Sequence, residues 1–263
     1  MQVALIHGRH LHYRRTGHED APLVVFANSL GTDLRIWDGV LHHLGGRVQS
    51  LCYDKRGHGL SDAPPAPYTL DDHIDDLTGL LENLRIERAI LCGVSVGGMI
   101  ALGLAARRPD LVRGLILCDT AHKIGSEALW NERIQKIRQH GIESIADAII
   151  ERWFSESFRQ AVPEAVAGWR NMLVRTPLEG YVGTCAALRD ADLTAAAQSL
   201  KLPVSCLCGS EDGATPPDLV RSMGTLIAGA SFRSVEGAGH LPCIEVPEVL
   251  AAVINTFITE MPS

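Results

Sequence analysis

Ser95 stands in Gly93-Val94-Ser95-Val96-Gly97-Gly98, between an apolar run at 89–92 and an apolar stretch at 99–106 with helical character. Glycines two places before and two after a serine let a strand turn at once into a helix. The hydroxyl then projects from the bend, beside the amides that open the helix. That geometry suits nucleophilic attack on a carbonyl, but a serine hydroxyl is a poor nucleophile at neutral pH. It needs a base within hydrogen-bond reach and a third group that fixes the base's tautomer. His240, in Gly237-Ala238-Gly239-His240-Leu241-Pro242, follows the last strand-like run on a glycine-rich loop and is the candidate base. His58 and His122, also in loop segments, compete for that role, whereas His7, His10, His12, His42, His43 and His140 are expected to face solvent. Asp212, in Gly209-Ser210-Glu211-Asp212-Gly213, follows the preceding strand-like run and is the candidate acid, with Glu211 and Asp119 as competitors. The chain order Ser, Asp, His is that of a nucleophile elbow with its partners on later loops. The anion formed on attack needs two donors already aimed at it. The backbone amide of Val96 is one candidate, and that of Leu30, in Asn28-Ser29-Leu30-Gly31, is the other.

Elements able to position these residues are legible as short apolar runs at 23–27, 48–53, 89–92, 114–118, 204–208 and 232–235. Runs apolar at nearly every position read as strands buried on both faces, and helical segments between them point to an α/β fold with a mostly parallel sheet. The opening segments 3–6 and 11–15 add an antiparallel hairpin around Gly8 and Arg9, making eight strands in all. From about residue 122 to 190 the strand signal gives way to helical periodicity. Trp130, Ile134 and Ile137 share one helix face, with Gly141 as the stop, and Ile142, Ile145, Ile149 and Trp153 share the next. This helical insertion after the sixth strand is expected to cap the end of the sheet. Thr69 to Asp72 reads as a capping box for a helix running to Leu84. The acidic cluster Asp71, Asp72, His73, Asp75, Asp76 reads as a solvated helix start, where the macrodipole favours acids, and not as a metal site.

The 263 residues carry a formal charge of −7 with no concentrated Lys/Arg block. That balance excludes nucleic acid and anionic membranes as main partners, and an anionic substrate would need local cations. The start, Met1 to His7, has no basic lead and only a short apolar run, and no later segment approaches membrane-span length, so the sequence reads as soluble and cytoplasmic. Seven cysteines at 52, 92, 118, 185, 206, 208 and 243 show neither disulfide nor zinc spacing and read as buried thiols.

Taken together, these residues resemble the α/β-hydrolase family from end to end. Besides the serine turn, Tyr53-Asp54-Lys55-Arg56-Gly57-His58-Gly59-Leu60-Ser61-Asp62 is similar to the family's turn after strand four, and the segments 209–217 and 237–240 to its acid and histidine loops. Asn28-Ser29 stands where the family usually has His-Gly. Segments 117–125 and 129–134, with Gly180-Tyr181 and 185–193, resemble the cap of the enol-lactonases of bacterial aromatic degradation, the beta-ketoadipate pathway. The resemblance implies a core of 1–121 and 191–263 with a cap at 122–190. It also implies hydrolysis of a small anionic enol-lactone through an acyl-enzyme on Ser95, with no cofactor or metal. The substrate's carboxylate then needs a cation: Arg133, beside the apolar stripe of its helix, and Arg189 are the candidates, each also readable as a surface ion-pair residue. Trp130 is readable as pocket wall or core anchor. A carboxylesterase, a carbon–carbon bond hydrolase of ring-fission products, or a non-catalytic binding protein of the same fold are the alternatives.

Overall fold

The central strands are built from β-branched and other apolar residues without alternation, so they are stable only when covered on both sides. The structure, a computed structural model, describes residues 1–261 and contains eight strands: β1 (Gln2–Ile6), β2 (Arg9–Thr16), β3 (Leu23–Ala27), β4 (Gln49–Tyr53), β5 (Ala89–Val94), β6 (Val112–Cys118), β7 (Val204–Gly209) and β8 (Ser231–Val235). They form one sheet in the order β1-β2-β4-β3-β5-β6-β7-β8. The β1–β2 and β2–β4 pairings are antiparallel; from β4 across to β8 every pairing is parallel. Residues of β4 and β5 are buried throughout, whereas the edge strand β8 buries only Val235 fully.

Helices α1 (Asp38–Leu44), α2 (Leu70–Asn83) and α3 (Val96–Arg107) connect the first parallel strands. The Thr69 capping box starts α2, with Thr69 and Asp72 exchanging side-chain and backbone hydrogen bonds. Positions 96–105 of α3 are all buried, consistent with its uniformly apolar sequence. Between β6 and β7 the chain runs through α4 (Glu127–His140), α5 (Glu143–Trp153), α6 (Glu156–Ala161), α7 (Pro163–Val174), α8 (Leu178–Asp190) and α9 (Thr194–Ser199). The last three helices are α10 (Pro217–Leu226), α11 (Pro242–Glu245) and α12 (Pro247–Glu260). Among the described residues no helix is long and apolar enough to cross a membrane. All seven cysteines are free and buried.

Two surface expectations need correction. The acidic cluster at the start of α2 is only partly solvated: His73 and Asp76 are buried, and the Arg56 guanidinium grips Asp76 through Nε (2.6 Å) and Nη2 (2.7 Å) and reaches Asp72 through Nη1 (2.6 Å). Asp71 and Asp75 are paired with Arg107. His12 is largely covered, because its Nδ1 meets the buried Asp54 carboxylate at 2.8 Å. Both corrections come from cations or carboxylates distant in sequence, which local patterning does not register.

Candidate active site

Ser95 caps α3 with φ +58° and ψ −124°, a conformation in which side chains carry strain of about 1–3 kcal/mol. Tight packing holds it there. Its amide donates to the Cys118 carbonyl (3.0 Å), and its own carbonyl accepts from the Thr120 hydroxyl (2.6 Å). A Cβ at Gly97 would lie 2.0 Å from the Ala27 carbonyl oxygen, and one at Gly93 would lie 2.4 Å from Gly97 itself. Only glycine therefore lets α3 approach the end of β3 closely enough to bring Ser95 beside the loop that follows β3.

Asp212 follows β7 and is buried. Its Oδ1 accepts from the amides of Ala214 (2.7 Å) and Thr215 (2.9 Å), and its Oδ2 accepts from the Thr215 hydroxyl (2.6 Å). His240 Nδ1 lies 3.0 Å from Oδ1 and 2.9 Å from Oδ2. A carboxylate in that position assigns the ring proton to Nδ1 and leaves Nε2 as the acceptor. Burial alone would raise the Asp212 pKa, but the neighbouring imidazole and the Thr215 donors outweigh it and hold the carboxyl below its ordinary range.

The competing residues lie elsewhere. Glu211 is exposed. Asp119 is fully buried after β6, with Oδ1 accepting the Gly209 amide (2.8 Å) and Oδ2 without a hydrogen-bond partner. Burial and the nearby Asp212 charge push the Asp119 pKa well up from the ordinary carboxylate value. Asp119, Cys208 and Asp212 bring their ligand atoms within 4.8 Å of one another, the one His/Cys/Asp/Glu grouping of metal-site size among the described residues. Asp212 already spends both oxygens on His240, Thr215 and backbone amides, so the donor set does not suit a metal. His58 is buried under the loop that follows β3, where Nε2 accepts the Gly31 amide (3.0 Å) and Nδ1 donates to the Arg56 carbonyl (3.1 Å). His122 lies outside the cavity that Ser95 and His240 line.

The Leu30 and Val96 amides donate no hydrogen bond within the described residues. Their loops are fixed from below: Lys55 Nζ and the Thr32 hydroxyl both donate to the Ser29 carbonyl, and Asp54 accepts from the Leu34 amide (2.8 Å) and the Leu60 amide (2.9 Å). Burial pushes the Lys55 ammonium and the His58 imidazole well below their ordinary pKa values.

A cavity of about 70 Å³ joins these parts, with Leu30, Ser95, Thr215 and His240 on the sheet side. Trp130, Arg133 and Arg152 are among the residues that close it from the helical side. The Trp130 indole is both anchor and wall: its Nε1 donates to the Ile124 carbonyl (2.7 Å) while its ring faces the cavity. Arg133 stacks on that ring at 4.8 Å, and neither Arg133 nor Arg152 has an acidic partner among the described residues. An adjoining hollow of about 230 Å³ shares Leu129, Arg133, Ile149 and Arg152. Arg189 departs from expectation. It is tied to Asp190 (2.7 Å) and Asn131 (3.0 Å) outside the cavity, because Leu188 takes the inward position on α8 and the next residue is rotated about 100° away. Sequence reasoning missed Arg152, Thr215 and Glu245. The signal for Glu245 is an acid five residues after His240 in an apolar stretch.

A serine on a taut turn and an imidazole paired with a buried carboxylate from later loops, brought to one cavity, are the arrangement expected of a hydrolase of acyl groups. The profile of the Alpha/beta hydrolase family matches residues 24–253, and the chain belongs to that family. It is 34% identical over 238 residues, 90% of this chain and 89% of the relative, to 3-oxoadipate enol-lactonase 2 of Acinetobacter baylyi. The crystal structure of the enol-lactonase from Burkholderia xenovorans LB400 is similar at 38% identity and a TM-score of 0.95, covering 98% of this chain and 100% of that one. A thermophilic esterase from Thermogutta terrifontis is similar at 27% identity and a TM-score of 0.93, covering 100% of both.

Proposed function

We propose that this hydrolase opens the lactone ring of 3-oxoadipate enol-lactone to give 3-oxoadipate, in the beta-ketoadipate pathway of aromatic catabolism. The observation that carries the proposal is a cavity lined at once by Ser95, by His240 bonded to Asp212, and by two arginines without acidic partners. Ser95 Oγ attacks the ring carbonyl carbon as its proton passes to His240 Nε2, and Asp212 stabilises the imidazolium. The carbonyl oxygen becomes an anion facing the Leu30 and Val96 amides. Collapse breaks the ring carbon–oxygen bond, and the enolate leaves on the same chain that stays esterified to Ser95. His240 returns its proton, and the enol tautomerises to the ketone. Water deprotonated by His240 then attacks the acyl-enzyme, restores Ser95 and yields the new carboxylic acid, which ionises and releases one proton per turnover. The substrate's carboxylate is paired with Arg133, with Arg152 beside it, and Trp130 forms the wall. In this reading residues 122–190 are a cap over a core of 1–121 and 191–263, and the residues named supply the chemistry without a cofactor.

A carboxylesterase role is the second reading, favoured by the likeness to the Thermogutta terrifontis esterase. Proton release in a weakly buffered assay, with the enol-lactone beside a panel of neutral esters, separates the two. Enol-lactonase activity predicts the larger kcat/KM on the lactone; turnover of esters alone overturns it. Ser95→Ala should lower kcat by roughly 10⁴-fold or more with the fold intact, and near-normal turnover would exclude the covalent route.

A further inference from the structure

We propose that Glu245 is a positioning residue that clamps the loop carrying His240 to the turn between α5 and α6. The inference rests on the reading above, in which His240 is the base. Glu245 ends the four-residue helix α11, five positions after His240. Its Oε1 accepts from the Gly239 amide (2.9 Å) and from the Ser155 amide (3.2 Å), and its Oε2 accepts from the Ser155 hydroxyl (2.6 Å). Ser155 is buried and caps α6, where its hydroxyl also accepts the Phe158 amide. On the other side of His240, the Leu241 amide donates to the Trp153 carbonyl (3.3 Å). The residues before and after the base are thus both tethered to positions 153–155, one directly and one through a single carboxylate.

Close packing leaves the clamp no slack. A Cβ at Gly239 would lie 2.6 Å from Glu245 Oε1, 2.7 Å from the Trp153 carbonyl oxygen and 2.9 Å from the Ser155 nitrogen. Glu245 forms no salt bridge among the described residues, so neutral donors alone hold it. Burial, opposed by the Ser155 and Gly239 donors, moves its carboxyl upward from the ordinary value. An unpaired carboxylate between two loops is costly unless several donors converge on it, and here they come from both loops. The turn it grips ends α5, whose Arg152 and Trp153 line the cavity, so one side chain sets the distance between the base and the opposite wall.

The test uses the full-length chain and compares Glu245→Ala, Glu245→Gln, Ser155→Ala and His240→Ala. Steady-state kinetics are measured on whichever ester or lactone the wild type turns over, together with the low-field proton resonance of the His240 Nδ1–H. A loosened base should lower kcat by roughly tenfold or more in Glu245→Ala while KM changes by less than about threefold. The resonance should weaken in parallel. Glutamine keeps an acceptor for the Gly239 and Ser155 amides and can donate to the Ser155 hydroxyl, so Glu245→Gln should recover most of the turnover lost in Glu245→Ala. Ser155→Ala removes one bond of the clamp and should lower kcat by roughly two- to fivefold. Wild-type turnover and an unchanged resonance in Glu245→Ala would overturn the inference, as would a glutamine variant as impaired as the alanine one. Should Glu245→Ala not fold, wild-type kcat and resonance in Ser155→Ala would overturn it equally. Full turnover in His240→Ala would instead overturn the assignment of the base.

Discussion

Replacing Asp212 with asparagine removes one charge with almost no change of shape, and its consequence can be worked out atom by atom. Two backbone amides, of Ala214 and Thr215, point at Oδ1 and cannot be turned away, so the asparagine carbonyl must occupy that position. The new NH₂ then stands where Oδ2 was, facing the Thr215 hydroxyl and His240 Nδ1. Threonine can rotate to accept, but the imidazole can accept only at Nδ1, which moves its proton to Nε2 and deprives Ser95 of a base. His240 loses both its charged partner and its productive tautomer, together about 3–6 kcal/mol of transition-state stabilisation. That corresponds to a fall in kcat of roughly 10² to 10⁴-fold. Pre-steady-state kinetics on a chromogenic ester should show acylation slowed with binding little affected. Asp119 nearby loses a negative neighbour in this variant, which relaxes the upward push on its carboxyl, so adding Asp119→Asn should remove any residual acid function it takes over. Since Asp212 is held below its ordinary pKa, its ionised form stabilises the fold at neutral pH. That contribution is lost as pH falls through the depressed value, so the variant's melting-temperature deficit should close on acidification. Turnover of Asp212→Asn within tenfold of the wild type would refute the reasoning.

Arg133→Ala should lower kcat/KM on the carboxylate-bearing lactone by roughly ten- to a hundredfold, mostly through KM, since a charge-assisted hydrogen bond is worth about 1.5–3 kcal/mol. A neutral ester should be little affected; equal losses on both substrates would show that the stacking on Trp130 matters and the charge does not. Asp72 offers a test of pH dependence away from the site. Against the effect of burial, the Thr69 amide and hydroxyl and the Arg56 guanidinium bring its pKa down to about 2. The ionised side chain therefore stabilises the fold above the ordinary carboxylate range, and this stabilisation disappears as pH falls through about 2. Urea unfolding should find Asp72→Asn weaker than the wild type at neutral pH and equal to it in strong acid, and a gap independent of pH would contradict this.

What the sequence displays about this molecule follows the range of the interactions concerned. The serine turn, the sheet and the loops bearing Asp212 and His240 depend on local features: glycines at fixed offsets and apolar runs of strand length. Helices α6 to α8 are harder to read. Helix α6 has six residues and buries none fully, and α8 buries every residue from Gly180 to Leu188, so neither offers a one-sided apolar stripe. The inward turn of Arg133 and the outward turn of Arg189 depend on what each helix packs against, which spacing alone does not determine. Glu245 sits on too short a helix for any periodicity to orient it, and its partner Ser155 is 90 residues away.

Most of the buried polar residues also follow a spatial rule; Gln49, Ser50, His73, Asp76, Ser155 and Thr184 are the exceptions. Asn28, Ser29 and Thr32 follow β3; Asp54, Lys55, His58 and Ser61 follow β4; Ser95 follows β5; Asp119 and Thr120 follow β6; Asp212 and Thr215 follow β7; and His240 follows β8. They lie at the carboxyl ends of parallel strands, where an α/β sheet leaves room for a ligand. Drying that edge penalises charge, and the residues respond differently. Asp119 is pushed towards its neutral acid, and Lys55 and His58 towards their neutral bases. Asp212 moves the opposite way because His240 and three donors converge on it. Convergent donors thus oppose burial at the carboxylate that faces His240, while Lys55 and His58 hold the Ser29 and Gly31 backbone in place. Burial therefore raises the Asp119 carboxyl and lowers Lys55 and His58 at one edge of the sheet, while convergent donors reverse its effect on Asp212, the partner that the proposed general-base role of His240 needs.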